Sequence, residues 1–134
     1  MIVKEIYVNL PVKDLKASID FFAKLGFTFN AEFTNEKAAC MIVGENIYAM
    51  LLVEKFFQTF TDKPLADATK STEVINCISL ASQDAVDQMV ADAVKAGGTA
   101  PSEVKDHGFM YQHGFEDIDG HIWELVYMRP AATA

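Results

Sequence analysis

The chain has 134 residues, 51% of them hydrophobic and 22% charged, and a formal net charge of −8. That length supports one core, or two small modules sharing one, and falls short of two independent domains. The acidic balance argues against nucleic acid and anionic membrane as partners, because both reward clusters of Lys and Arg.

Residues 2–10 alternate, with Ile6, Val8 and Leu10 on one side and Tyr7 and Asn9 on the other, the period-2 signature of a half-buried strand. No charged-then-apolar leader precedes it, so the expectation is a cytoplasmic protein without a signal peptide. Pro11 closes the strand, and Asp14 can cap a helix over 15–25 that carries Leu15, Ile19 and Phe22 on one face. Gly26 stops that helix. Three short strands follow at about 27–33, 38–44 and 47–53, joined by the turn-forming Thr34-Asn35-Glu36 and Gly44-Glu45-Asn46.

Residues 54–73 have weak periodicity and exceed the ~12–15 residues beyond which an unstructured connection is usually functional or a linker. Phe56, Phe57 and Phe60 allow two readings of this segment. It is either a short amphipathic helix tucking its rings under the core or a lid over a ligand cavity. The earlier order then repeats. A strand at 74–81 leads to a helix capped by Ser82 or Asp84, with Val86, Met89, Val90, Ala93 and Val94 on one face and a stop at Gly97. A short strand near 100–104 precedes strands at about 109–116 and 121–128, joined by the Asp117-Ile118-Asp119-Gly120 turn. No segment approaches the ~18 consecutive apolar residues of a membrane span. Cys40 and Cys77 both lie in apolar runs, which predicts reduced, buried thiols.

The two halves align. Tyr7–Asp14 falls on Cys77–Asp84, pairing Tyr7 with Cys77, and the stretch from Gly44 to Val53 places Met50 on Glu124. The fold expected is therefore α+β, two tandem βαβββ modules over 3–53 and 74–128 joined by 54–73 within a single domain of 1–134, with the helices on the outer faces of the sheets.

The opening Asn9-Leu-Pro-Val-Lys-Asp-Leu-Lys-Ala-Ser-Ile-Asp-Phe-Phe-Ala-Lys-Leu-Gly-Phe27 and the closing Glu116-Asp-Ile-Asp-Gly-His-Ile-Trp-Glu124 resemble the vicinal oxygen chelate superfamily. Its members include glyoxalase I, extradiol dioxygenases, fosfomycin-resistance transferases and bleomycin-binding proteins. The resemblance runs from residue 3 to residue 128 and is nearest to a lactoylglutathione lyase-like subgroup of small bacterial proteins. It implies a curved, cup-shaped mixed sheet, a small-molecule ligand and a homodimer. It also places the superfamily's metal-ligand positions on Tyr7, Met50, Cys77 and Glu124. Of these only Glu124 keeps a ligand type used by the metal-dependent members. A thioether and a neutral phenol are poor donors for hard and borderline divalent ions, and catalytic zinc needs three good protein ligands. No metal and no other cofactor is expected.

The candidate lining of the cup comes from alternation along the strands. Tyr7, Asn9, Met50 and Leu52 line it in the first module, and Ile75, Cys77, Ser79, Met110, Gln112 and Glu124 in the second. Apolar walls with a few converging polar groups are how small-molecule pockets are built. The catalytic candidates are Glu124, as base or acid hydrogen-bonded to Tyr7 or the ligand, and Tyr7 itself. His107, His113 and His121 share no ligand spacing, and Cys77 has no histidine on its strand to make it a nucleophile. Two readings stay open: a metal-free enzyme of the glyoxalase-like group acting on an oxygen-rich substrate, and a binding protein that sequesters a small molecule. A metal-dependent lyase or dioxygenase is the third, and the missing ligands argue against it.

Overall fold

The computed structural model describes residues 1–131 and divides into two compact units, Met1–Ala66 and a second beginning at Asp67. In the first, β1 (Ile6–Val12) leads to α1 (Leu15–Lys24), followed by β2 (Thr28–Asn30), β3 (Ala38–Gly44) and β4 (Ile47–Val53). The sheet order is β1-β4-β3-β2, with β1 and β4 parallel and the other pairs antiparallel. Parallel neighbours cannot be joined by a tight turn, so a crossover separates them. The helix starts where Asp14, in extended conformation, accepts a hydrogen bond from the Ala17 amide at 3.1 Å. It ends before Gly26, whose φ of 99° is costly for any residue with a Cβ. Leu15, Phe21 and Phe22 of α1 are buried with Leu10, Val12, Ala39, Met41, Ala49 and Leu51 of the strands, and form this unit's core. Each fully buried Phe or Leu contributes about 1.5–3 kcal/mol of burial free energy.

The second unit repeats the plan. It contains β5 (Ile75–Ser79), α3 (Gln83–Lys95), β6 (Lys105–Asp106), β7 (Met110–Glu116) and β8 (Ile122–Met128), in the order β5-β8-β7-β6 with β5 and β8 parallel. Ser82 caps α3 through the Ala85 amide at 3.0 Å, and Val86, Val90 and Ala93 turn inward with Tyr111, Phe115, Trp123 and Leu125. The expected α+β architecture of two βαβββ modules is what the chain adopts.

Four local expectations need correction. Residues 31–33 form a single 3₁₀ turn instead of extending β2, because the Asn30 side chain accepts from the Glu32 amide at 3.0 Å and turns the backbone. The strand expected near 100–104 lies at Lys105–Asp106 instead. Thr99 pairs in isolation with Glu116, and Pro101, which has no amide hydrogen to donate, stands between them and the ladder. Cys40 is buried but Cys77 is exposed, since β5 is an edge strand. In the connection, the four-residue α2 (Glu54–Phe57) runs into a 3₁₀ turn over Gln58–Phe60. Its rings are only partly covered: Phe56 and Phe57 are half-buried, and Phe60, 68% exposed, packs edge-on against Phe56 with 5.2 Å between centroids. No helix is long and apolar enough to cross a membrane among the described residues.

Candidate functional site

In the second unit, pairing brings Cys77, Glu124 and Gly114 side by side on the sheet face turned away from α3: Cys77 stands opposite Glu124 on β8, which stands opposite Gly114 on β7. Gly114 has no side chain, and the Glu124 carboxylate lies in the space it leaves. A Cβ at this position would sit 3.0 Å from Glu124 Oε2 and 2.9 Å from the Trp123 carbonyl oxygen. Glycine inside a strand commonly marks such a close approach. Gln112, two residues along β7, donates from Nε2 to Glu124 Oε2 at 3.1 Å. Its own Oε1 lies 3.3 Å from His107 Nε2, a bond that requires the proton on that nitrogen. Glu124 Oε1 has no protein partner among the described residues. The carboxylate is thus held by one oxygen and presents the other.

The enclosed space here is small. Ser102, Glu103, Lys105, Gln112, His113, Gly114 and Glu124 surround about 10 Å³. That is room for about one water. Within this unit these residues form a shallow polar floor. Partial burial, and next the Glu124 carboxylate, push the Cys77 thiol above its usual value, which disfavours the thiolate. Ile75 and Ser79 share its face and are exposed, while Met110 and Gln112 are half-buried on β7. His113 lies in register with Leu125, on the other face, and bonds the Ser102 carbonyl at 3.0 Å through Nε2. His121 belongs to the turn, where its amide donates to Asp117.

The first unit places Tyr7, Asn9, Met50 and Leu52 on the corresponding face of its own sheet. Tyr7 stacks on Tyr48 with 4.8 Å between centroids and an angle of 13°. Its hydroxyl donates to Glu5 at 3.2 Å, and slight burial with that carboxylate nearby raises the phenol above its usual value. Asn9 Nδ2 donates to the Tyr7 carbonyl at 3.3 Å. Leu52 is buried and Met50 half-buried, so this end of the face is apolar. Tyr7 and Glu124 thus each have a hydrogen-bond partner within their own unit.

The internal pairing of Tyr7 with Cys77 slips by two residues. By strand register the residue opposite Met50 is Asn9, as Cys77 is opposite Glu124. The helix caps agree, since Asp14 corresponds to Ser82 and not to Asp84. A slip of two keeps every side chain on its original face, so alternation could not reveal it. The equivalent positions are then Asn9, Met50, Cys77 and Glu124. Neither pair, an amide with a thioether in the first unit or a thiol with one carboxylate in the second, supplies the three good ligands that a catalytic divalent cation needs. Among the described residues no three His, Cys, Asp or Glu side chains are grouped as a metal would require.

Two structurally important positions escaped the sequence reading. Gly114 was detectable as a glycine within the strand pattern. Asp117 was treated only as a turn residue, yet it is 6% exposed and organises the whole turn. Its Oδ1 accepts from the Asp119 and His121 amides at 2.9 and 3.0 Å, and its Oδ2 from Trp123 Nε1 at 3.0 Å. Burial raises its carboxyl, opposed first by His121 and next by these donors.

A family described as bleomycin resistance protein-like N-terminal matches residues 4–44. No curated protein sequence matches the chain. Among solved structures, hypothetical protein SA1046 from S. aureus is 28% identical over 95% of each chain, with a TM-score of 0.81. A glyoxalase-related enzyme from Fulvimarina pelagi is 17% identical, with 93% of this chain and 88% of that one covered and a TM-score of 0.79. A glyoxalase/bleomycin resistance protein/dioxygenase family enzyme from Burkholderia phytofirmans PsJN is 16% identical over 92% of this chain and 97% of that one, with a TM-score of 0.77. At such identities the last two speak to fold alone. The chain has the fold of the glyoxalase/bleomycin resistance/dioxygenase superfamily.

Proposed function

We propose that the protein binds a small, hydroxyl-bearing molecule without a divalent metal, with Glu124 as the acceptor that fixes it. The observation that carries this reading is the carboxylate held across Gly114 by Gln112, with Oε1 left without a protein partner among the described residues. A fixed acceptor loses little freedom when a ligand hydroxyl reaches it, and a hydrogen bond to a charged group is worth about 1.5–3 kcal/mol. Ser79, exposed on the same face, offers a second polar contact. The match to a bleomycin resistance protein-like family supports sequestration as the form this binding takes. The poor donor set argues against the lactoylglutathione lyase-like and dioxygenase readings, whose chemistry needs a metal. The unpartnered Oε1 equally favours a second reading, in which Glu124 removes a proton from the bound molecule as general base.

Native mass spectrometry tests the proposal on chelator-treated protein incubated with a fractionated small-molecule extract. Wild type and Asp20→Asn, a change on the exposed face of α1, should retain the same adduct, and Glu124→Gln should lose it while staying folded. An adduct kept at equal abundance by Glu124→Gln would remove Glu124 from the site. An adduct whose mass changes on the protein shows turnover and selects the general-base reading.

The homodimer belongs to this reading as well. Ile2, Val3, Ile6 and Ile47 are 91%, 76%, 52% and 45% exposed, apolar surface of the kind that interfaces cover. Light scattering at micromolar concentration should return twice the chain mass, and a monomer mass would exclude it.

A further inference from the structure

The first unit carries a hollow that the Glu124 face does not explain. It has a volume of about 300 Å³ and is lined by Lys37, Val53, Lys55, Phe56 and Thr59. Its walls are fixed by structure. The Val53 amide donates to the Lys37 carbonyl at 3.0 Å, which ties the end of β4 to the residue before β3. Phe60 holds the Phe56 ring from the edge, and Thr59 Oγ1 donates to the Phe56 carbonyl at 2.6 Å, which fixes the helical turn behind it. Lys37 Nζ lies 6.0 Å from the Phe56 ring centroid, within reach of a cation–π contact.

The charge here runs against the rest of the chain. In a protein of net charge −8, two exposed lysines stand at one apolar hollow, and neither has a carboxylate within ion-pair distance among the described residues. An apolar wall of Val53 and Phe56 lined also by two lysines is complementary to an amphipathic anion. Its volume sits at the small end of the ~300–1,000 Å³ typical of ligand clefts, which limits the guest to about one or two rings.

We propose that this hollow is a second ligand site, which takes an aromatic carboxylate of one or two rings. The ring lies against Val53 and Phe56, and the carboxylate lies between the Lys37 and Lys55 ammonium groups. Burial of the ring supplies the attraction, and the two cations select the charged end.

Titration of naphthalene-2-carboxylate into the ¹⁵N-labelled full chain, followed by amide chemical shifts, tests this. The largest shifts should fall at Lys37, Val53, Lys55, Phe56 and Thr59. Naphthalene-2-carboxamide, nearly the same shape without the charge, should bind at least about fivefold more weakly. Lys37→Met combined with Lys55→Met should weaken the carboxylate about tenfold and leave the carboxamide unchanged, while Lys16→Met on α1 should alter neither. Shifts centred elsewhere, no shifts at millimolar ligand, equal affinity for the two compounds, or full affinity in the double variant would each overturn the proposal.

Discussion

Gly114→Ala isolates the feature that holds the Glu124 carboxylate in place. The new Cβ would stand 2.9 Å from the Trp123 carbonyl oxygen, 3.0 Å from Glu124 Oε2 and 3.1 Å from Glu124 Cδ. Real Cβ atoms do not tolerate the first of these contacts, and a paired strand cannot swing away without disturbing its ladder. Overpacking of this kind costs about 1–3 kcal/mol. Alanine returns about 0.4–1 kcal/mol by restricting the unfolded chain, so the net loss should be about 1–2 kcal/mol. Part of that loss comes from the displaced carboxylate and its broken 3.1 Å bond from Gln112, and part from the carbonyl. The two parts separate in a double-mutant cycle with Glu124→Ala. The cycle should show roughly 0.5–1 kcal/mol of coupling, because the clash with the carboxylate vanishes once it is gone. Trp123 is the only tryptophan and is 2% exposed, so its emission reports unfolding in urea directly. A midpoint change corresponding to less than ~0.3 kcal/mol, or additive single variants, would mean that Gly114 makes no room for Glu124.

Three further outcomes follow from the geometry. Gly120→Ala should destabilise by about 2–4 kcal/mol in the same urea assay, because φ is 89° there and the Ala68 carbonyl carbon and oxygen and the Thr69 nitrogen each lie 2.9 Å from the new Cβ. A loss under ~1 kcal/mol would show that the loop at Ala68 yields. The hydrogen bonds from Arg129 hold the Asp106 carboxyl at about 2, below its usual range. A lowered carboxylate contributes its full stabilisation above its unfolded value near ~3.9 and loses it as pH falls through the folded value. Asp106→Asn should therefore flatten the acid limb of the stability curve below pH ~4, and an unchanged slope would contradict the pairing. Iodoacetamide should alkylate the exposed Cys77 and spare Cys40, which is 1% exposed. Glu124→Gln should speed that reaction about two- to fivefold by removing the charge that raises the thiol, and an unchanged rate would separate the two side chains.

Much of this fold is legible in the sequence because its signals are periodic. Alternation along β1, β4, β7 and β8 and the glycine stops after both helices survive in the structure almost residue for residue. What alternation cannot register is a shift of two, which is why Tyr7 took the place of Asn9 in the internal pairing. It is equally blind to edges: Cys77 has apolar neighbours in sequence but sits on a strand with only one partner. The Glu124 face was accessible because each of its residues comes from the same phase of a clear strand. The way Glu124 is held was not, since it depends on an absent side chain at Gly114 and on which carboxylate oxygen Gln112 reaches. Residues 54–73 resisted reading because their short turns are stabilised by single side-chain bonds, such as those from Gln58 to the Thr61 and Lys63 carbonyls, which leave no period behind.

The most direct test of metal-free binding at Glu124 is chemical-shift mapping of the chelator-treated, ¹⁵N-labelled chain with the molecule recovered by native mass spectrometry. The account predicts saturable shifts centred on Cys77, Gln112, Gly114 and Glu124 with excess chelator present throughout. Shifts that appear only after a divalent metal is restored, or that leave these four residues unmoved, would contradict it.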